Sequence, residues 1–133
     1  MDLDSEGALR RRRAQGTKSD QLQAALSEID VEMARWGDEF IFGQVWAREG
    51  ISQDERMLVA IIALAATEHT KQLRNYLHGA LDAGIPARKI HEALVMLVVY
   101  VGFPVALNSL STWKDVVESA RRRGLEIDLG EPG

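Results

Sequence analysis

The chain predicts an all-α fold of about six helices. Apolar residues recur at three- and four-residue intervals along most of its 133 residues, a helix-start pattern stands at Ser52–Glu55, and no two alternating runs suggest paired strands. Two segments, Leu58–Ala65 and Leu94–Val101, are apolar nearly all round, which predicts burial on more than one side. A chain this short cannot cover both, so a homo-oligomer is expected.

Composition narrows the function classes. The length suits one domain with a real core. A net charge of −4 leaves no basic excess for a phosphate backbone, which argues against nucleic acid as a partner. With no cysteine there are no disulfides, thiolate metal sites or thiol nucleophiles. The apolar run Leu94–Val101 is too short to cross a bilayer, and no apolar stretch follows Arg10–Arg13 as a secretion signal requires. A cytoplasmic protein without a membrane partner is expected.

In chain order, residues 1–18 read as an N-terminal arm, with Met1–Gly7 acidic and frayed. Arg10–Arg13 form a solvated helix face or, alternatively, a small anion-binding patch. Residues 19–124 form the helical domain. Leu22, Ala25, Leu26, Ile29 and Met33 predict an amphipathic helix from a Ser19–Asp20 N-cap to about Arg35. Trp36–Trp46, with its aromatics and two glycines, predicts a short helix whose rings plug the core. Ser52 and Glu55 have capping-box spacing and start the next helix. Its pattern is interrupted at Thr67–Thr70, where either a polar turn of one helix or a break and restart fits.

Leu73, Leu77, Ala80 and Leu81 then form a core stripe ending at Gly84. Pro86 suits the first turn of a helix burying Ile90, Leu94, Leu97 and Val101. Gly102 and Pro104 allow a sharp turn into a last helix, whose end at Arg121–Arg123 before Gly124 suits the helix dipole. Residues 125–133 read as a tail, in which the alternation of Leu125, Ile127 and Leu129 could add an extended contact.

Groups suited to acid-base chemistry concentrate in Glu68–Leu81, which holds two of the three histidines. An imidazole is the side chain best suited to proton transfer at neutral pH, and His69 stands at a polar break between apolar helices, although an exposed turn explains it equally well. Gln72 and Tyr76 share its face at helical spacing and could converge with it as donors; packing alone also accounts for Tyr76. His78 would lie on the opposite face if the helix is continuous. Arg74 could grip a carboxylate at two points or serve as a surface ion-pair partner. His78, His91 and Glu92 lack ligand spacing, and no glycine-rich phosphate loop is present, so neither a metal nor a cofactor is expected.

Several segments together resemble the carboxymuconolactone decarboxylase family, which shares the alkylhydroperoxidase D-like fold. Phe42-Gly43-Gln44-Val45-Trp46 with Arg48, Gly50 and Ile51 is similar to the family's approach to its central helix, and Glu55–Val59 to that helix's start. Gln72–Leu81 with Ala83-Gly84 is similar to its Glu-Leu-x-x-His-x-x-Gly-Ala-Leu-x-x-Gly segment. Ile90, Glu92 and Tyr100–Asn108 resemble its later helix and Tyr-x-Gly-x-Pro-Ala-Ala signature. The peroxidase branch's Cys-x-x-Cys pair and histidine fall at about His69, Gln72 and Tyr76, so thiol peroxidase activity is excluded. The decarboxylase branch has histidine at the position of Tyr76 and arginine at that of His78.

The resemblance implies a cofactor-free decarboxylase acting on a carboxylated lactone or related small organic acid, assembled as a trimer or hexamer. In that reading Arg74 binds the carboxylate, Tyr76 and Gln72 donate to the developing enolate, and His69 or His78 delivers the proton. A non-catalytic oligomer that binds a small ligand is the alternative.

Overall fold

A computed structural model describes residues 3–130. Among them it contains helices and no strand. The eight α-helices are α1 (Leu3–Gln15), α2 (Ser19–Ile29), α3 (Val31–Trp36), α4 (Gln53–Ala66), α5 (Thr70–Asp82), α6 (Ala87–Val95), α7 (Leu97–Tyr100) and α8 (Phe103–Arg122). A 3-10 turn, Gly16–Lys18, links α1 to α2, and a π-helical segment, Gly37–Val45, follows α3. No described helix is long and apolar enough to cross a membrane.

Two expected helices are each divided, the first by a local cap. The run from Ser19 to Arg35 divides at Asp30, whose extended backbone puts its carboxylate over the next helix start, where Oδ1 accepts from the N–H groups of Glu32 (2.9 Å) and Met33 (3.3 Å). Ser19 does not cap α2; its hydroxyl is buried between Arg11 and Gln15 instead. The run from Pro86 divides at Met96 into α6 and α7, with Pro86 standing just before the first turn. The capping box at Ser52 and Glu55 forms with both hydrogen bonds, at 3.0 and 2.8 Å.

The arginine run departs furthest from expectation. Met1 and Asp2 lie outside the described residues, but α1 is helical from Leu3 and packs against the π-helical segment and α5. Arg11 is buried, with Nε 2.6 Å from Asp38 Oδ1 and Nη1 2.7 Å from Ser19 Oγ. Arg12 pairs with Asp20, Arg13 with Asp54, and Arg10 donates to the Phe42 carbonyl. Arg11 is the member that leaves the expected solvated face, whereas Arg12 and Arg13 stay about half exposed in their ion pairs; with a partner for each member, the run is not an open anion patch. Gly7 and Gly79 permit this docking: a Cβ on the first would collide with the Asp38 carbonyl, and on the second with that of Ala14.

The core joins Met57, Ile61 and Ala65 of α4 to Leu73, Leu77 and Ala80 of α5, Ile90 and Leu94 of α6, and Trp113, Val116 and Ala120 of α8. Phe42 enters it and Trp46 packs at its edge, whereas Trp36 and Phe40 stay exposed, so only part of the aromatic segment plugs the core. Ile29 and Met33 are exposed as well. Leu125, Ile127 and Leu129 do pack onto the core as the alternation suggested. A broad apolar surface remains open along Val98–Val101, Phe103 and Leu107, with Tyr100 75% exposed.

Candidate functional site

Helix α5 carries every residue that the sequence singled out except His69, which precedes it. The chain breaks at Thr67–His69: Glu68 takes a left-handed backbone (φ +59°) and His69 occupies the N-cap position of α5. His69 therefore lies on an exposed corner, about 13 Å along the helix axis from His78.

Hydrogen-bond chemistry assigns the proton on each imidazole. Thr67 Oγ1 donates its one proton to the Ala63 carbonyl (2.7 Å), so in its 2.6 Å contact with His69 Nδ1 the ring nitrogen is the donor. His69 thus presents an unprotonated Nε2 to the outside. His78 is the reverse: the Arg123 guanidinium, which can only donate, lies 3.3 Å from Nδ1, leaving the proton on Nε2. His91 is likewise protonated on Nε2, because Trp113 Nε1–H donates to its Nδ1 at 3.1 Å.

The predicted groups do not converge within the chain. Gln72 is exposed. Tyr76 packs toward Trp46, with ring centroids 6.4 Å apart; burial pushes its phenol pKa up, and Gln15 beside it offsets part of that rise. Arg74 faces α8, where it makes a long 3.8 Å ion pair with Asp115. His69 has Glu68 beside it, which accepts from Asn108 at 3.5 Å.

His78, in contrast, lies in a built polar pocket. Gln15, Thr17 and Lys18 from the turn after α1, Asn75 and His78 from α5, and Ser119 and Arg123 from the end of α8 enclose about 100 Å³. Partial burial holds the His78 pKa below the ordinary imidazole range; the nearby charges of Arg123 and Lys18 add to this, Asp82 opposes it, and Arg74 contributes least. The imidazole is accordingly neutral at pH 7. Arg123 is steadied by Asp82, 3.5 Å away. The pocket thus combines two cations, an imidazole N–H, amides and hydroxyls, a donor set that fits a carboxylate. Sequence reading missed Arg123, Lys18 and Asn75. The only available signal for Arg123 was its place among cations ending α8, which the helix dipole already explained.

Among the described residues no cluster of three or more histidines or carboxylates could hold a metal ion.

The model of the carboxymuconolactone decarboxylase family matches residues 32–115, more than half of the chain. The chain belongs to this family. A 4-carboxymuconolactone decarboxylase from Acinetobacter baylyi is 26% identical over 81 residues, covering 61% of this chain and 60% of that protein. A nitrosuccinic acid decarboxylase from Metarhizium robertsii is 23% identical over 86 residues, covering 65% of this chain and 60% of that protein. The chain therefore matches about 60% of the length of either relative. The family match ends before Arg123 and begins after Lys18, so the His78 pocket is completed by residues on both sides of it.

Proposed function

We propose that this protein is a cofactor-free, decarboxylase-like enzyme acting on a carboxylated lactone or a related small organic acid, with the acid held in the His78 pocket. The observation that carries this reading is the meeting of Arg123, Lys18 and a neutral His78 in one enclosed polar space, in a chain whose relatives are named as decarboxylases. The volume of about 100 Å³ takes a carboxylate group and little more, so the rest of the substrate projects outward.

An arriving carboxylate accepts from Arg123 and Lys18 and offsets the part of the His78 pKa depression that their charges add to that of burial. As Arg123 turns to the substrate it frees Nδ1, which takes up a proton. The C–C bond to the carboxylate breaks heterolytically, CO2 departs, and the electron pair passes into the adjacent carbonyl as an enolate. Asn75, Thr17 and Ser119, which line the same pocket, donate to the enolate oxygen in this proposal. The imidazolium then protonates the carbon and returns to the neutral imidazole of the resting pocket. One proton is consumed for each CO2 released.

The same proposal has the protein working in the cytoplasm as a homo-oligomer, a trimer or hexamer. Support for assembly is the exposed apolar surface from Val98 to Leu107, beside the corner that carries Glu68 and His69. Such an assembly could bring His69, Gln72 and Tyr76 into a site shared between copies. Sedimentation giving a stable monomer at micromolar concentration would count against it.

A second reading is a non-catalytic small-acid-binding protein. Tyr76 favours it, because it stands where the family's decarboxylases carry histidine and is packed against Trp46. The two readings part in a 13CO2-release assay with 4-carboxymuconolactone and nitrosuccinate. Catalysis in this pocket predicts CO2 release that falls about 10- to 100-fold in kcat/KM for Arg123→Gln and about 100-fold or more for His78→Gln. Arg74→Gln should stay near wild type. Binding of either acid without CO2 release would establish the second reading, and unchanged turnover in both pocket variants would remove the pocket from the chemistry.

A further inference from the structure

A second cavity, on the far side of α8 from the His78 pocket, carries recognition chemistry that the decarboxylase reading does not use. It measures about 380 Å³, within the range of small-molecule sites, and lies between α6, α8 and the chain after α8. Leu110 and Val117 from one face of α8 and Leu129 from the returning chain form an apolar floor beside the Trp113 ring. Arg121 donates to the Ile127 carbonyl at 2.8 Å, which helps hold the returning chain in place.

The polar groups around that floor are biased toward an anion. His91 lines the cavity with Nδ1 already engaged by the Trp113 indole, so its remaining ring function is the Nε2–H donor. At the mouth, Lys114 and Arg121 face a single carboxylate, Glu118. Lys114 and Glu118 are one turn apart, yet no ion pair forms between them, and among the described residues the Lys114 ammonium has no hydrogen-bond or ion-pair partner. Three donor groups and a net positive charge over an apolar floor call for a ligand with a hydrophobic body and one negative, acceptor-only end.

We propose that this cavity is a separate binding site for an apolar monocarboxylate, an aryl or medium-chain alkyl acid. The hydrocarbon part rests on Leu110, Val117 and Leu129, while the carboxylate accepts from His91 Nε2–H and Lys114. The small polar His78 pocket has no apolar floor and cannot take such a body.

The test is a titration of the full chain with 2-naphthoate, followed by 1H–15N correlation spectra, with 2-naphthylmethanol as the uncharged probe. The proposal predicts saturable movement of the Trp113 indole and Leu129 amide signals with naphthoate, little movement at Asn75, and weaker binding of the alcohol. Lys114→Gln, a substitution at an exposed position, should weaken naphthoate roughly threefold and leave the alcohol unchanged. Equal affinity for acid and alcohol would overturn the anion assignment. Saturation at Asn75 with a still Trp113 indole would overturn the site.

Discussion

Replacing Arg11 by methionine tests whether the N-terminal helix is an integral part of the fold. The guanidinium is buried and engages both Asp38 oxygens, at 2.6 and 3.4 Å, and Ser19 Oγ at 2.7 Å. Methionine keeps much of the volume but strands the Asp38 carboxylate, whose side chain is only 15% exposed. Breaking a buried pair from one side costs about 3–5 kcal/mol. Asp38 retains some solvent, and Asp20 keeps Arg12, so the low end of that range, about 3 kcal/mol, is expected. In a domain of this size that is roughly a 10 °C fall in Tm. Urea denaturation should show it as a lower midpoint at unchanged slope. Arg12→Met, which removes an exposed pair, should cost less than about 1 kcal/mol. Adding Asp38→Leu to Arg11→Met should restore most of the loss, because an apolar pair replaces a paired charge. Equal midpoints for Arg11→Met and Arg12→Met would refute the reasoning.

Gly79→Ala should cost about 2–4 kcal/mol, since its methyl would push the Ala14 carbonyl and with it the whole of α1 away from α5. Gly37→Ala, at a helical position with nothing near the added carbon, should instead be neutral or stabilising by up to about 1 kcal/mol; denaturant midpoints compare the two. The depressed His78 pKa predicts a pH effect of definite sign. Below about pH 6.5 the unfolded chain takes up a proton at His78 that the folded chain refuses, so stability falls as pH falls through that window. The His78→Gln variant should lose less stability than wild type between neutral and acid pH, measured as the difference in urea midpoint; an identical loss would show that His78 is not depressed.

What could be read in advance depended on how far apart the partners lie. The Ser52–Glu55 capping box spans three residues, and the alternation at Leu125, Ile127 and Leu129 is a local period; both were visible. The break at Asp30 was less so, because an aspartate on a polar helix face looks like any other until its carboxylate folds over the next N–H groups. Arg11 seemed exposed as one of four adjacent cations, since its partner Asp38 is 27 residues away. The His78 pocket was illegible for the same reason: Arg123 is 45 residues from His78, and only the docking of α1 and α8 on either side of α5 brings it and Lys18 together. The family's own segment was readable, but sequence spacing could not show that Tyr76 and His78 within it point to different neighbours.

The most direct measurement is a 15N titration of the three histidine rings in the presence and absence of a saturating small dicarboxylate such as succinate. Without ligand, His69 should carry its neutral-form proton on Nδ1, and His78 and His91 theirs on Nε2, with His78 titrating below the ordinary imidazole range. With ligand, the His78 pKa should rise, as expected if the carboxylate sits against Arg123 and Lys18. A His78 titration indifferent to the acid, with His69 responding in its place, would contradict the assignment of the pocket and move the chemistry to the exposed corner ahead of α5.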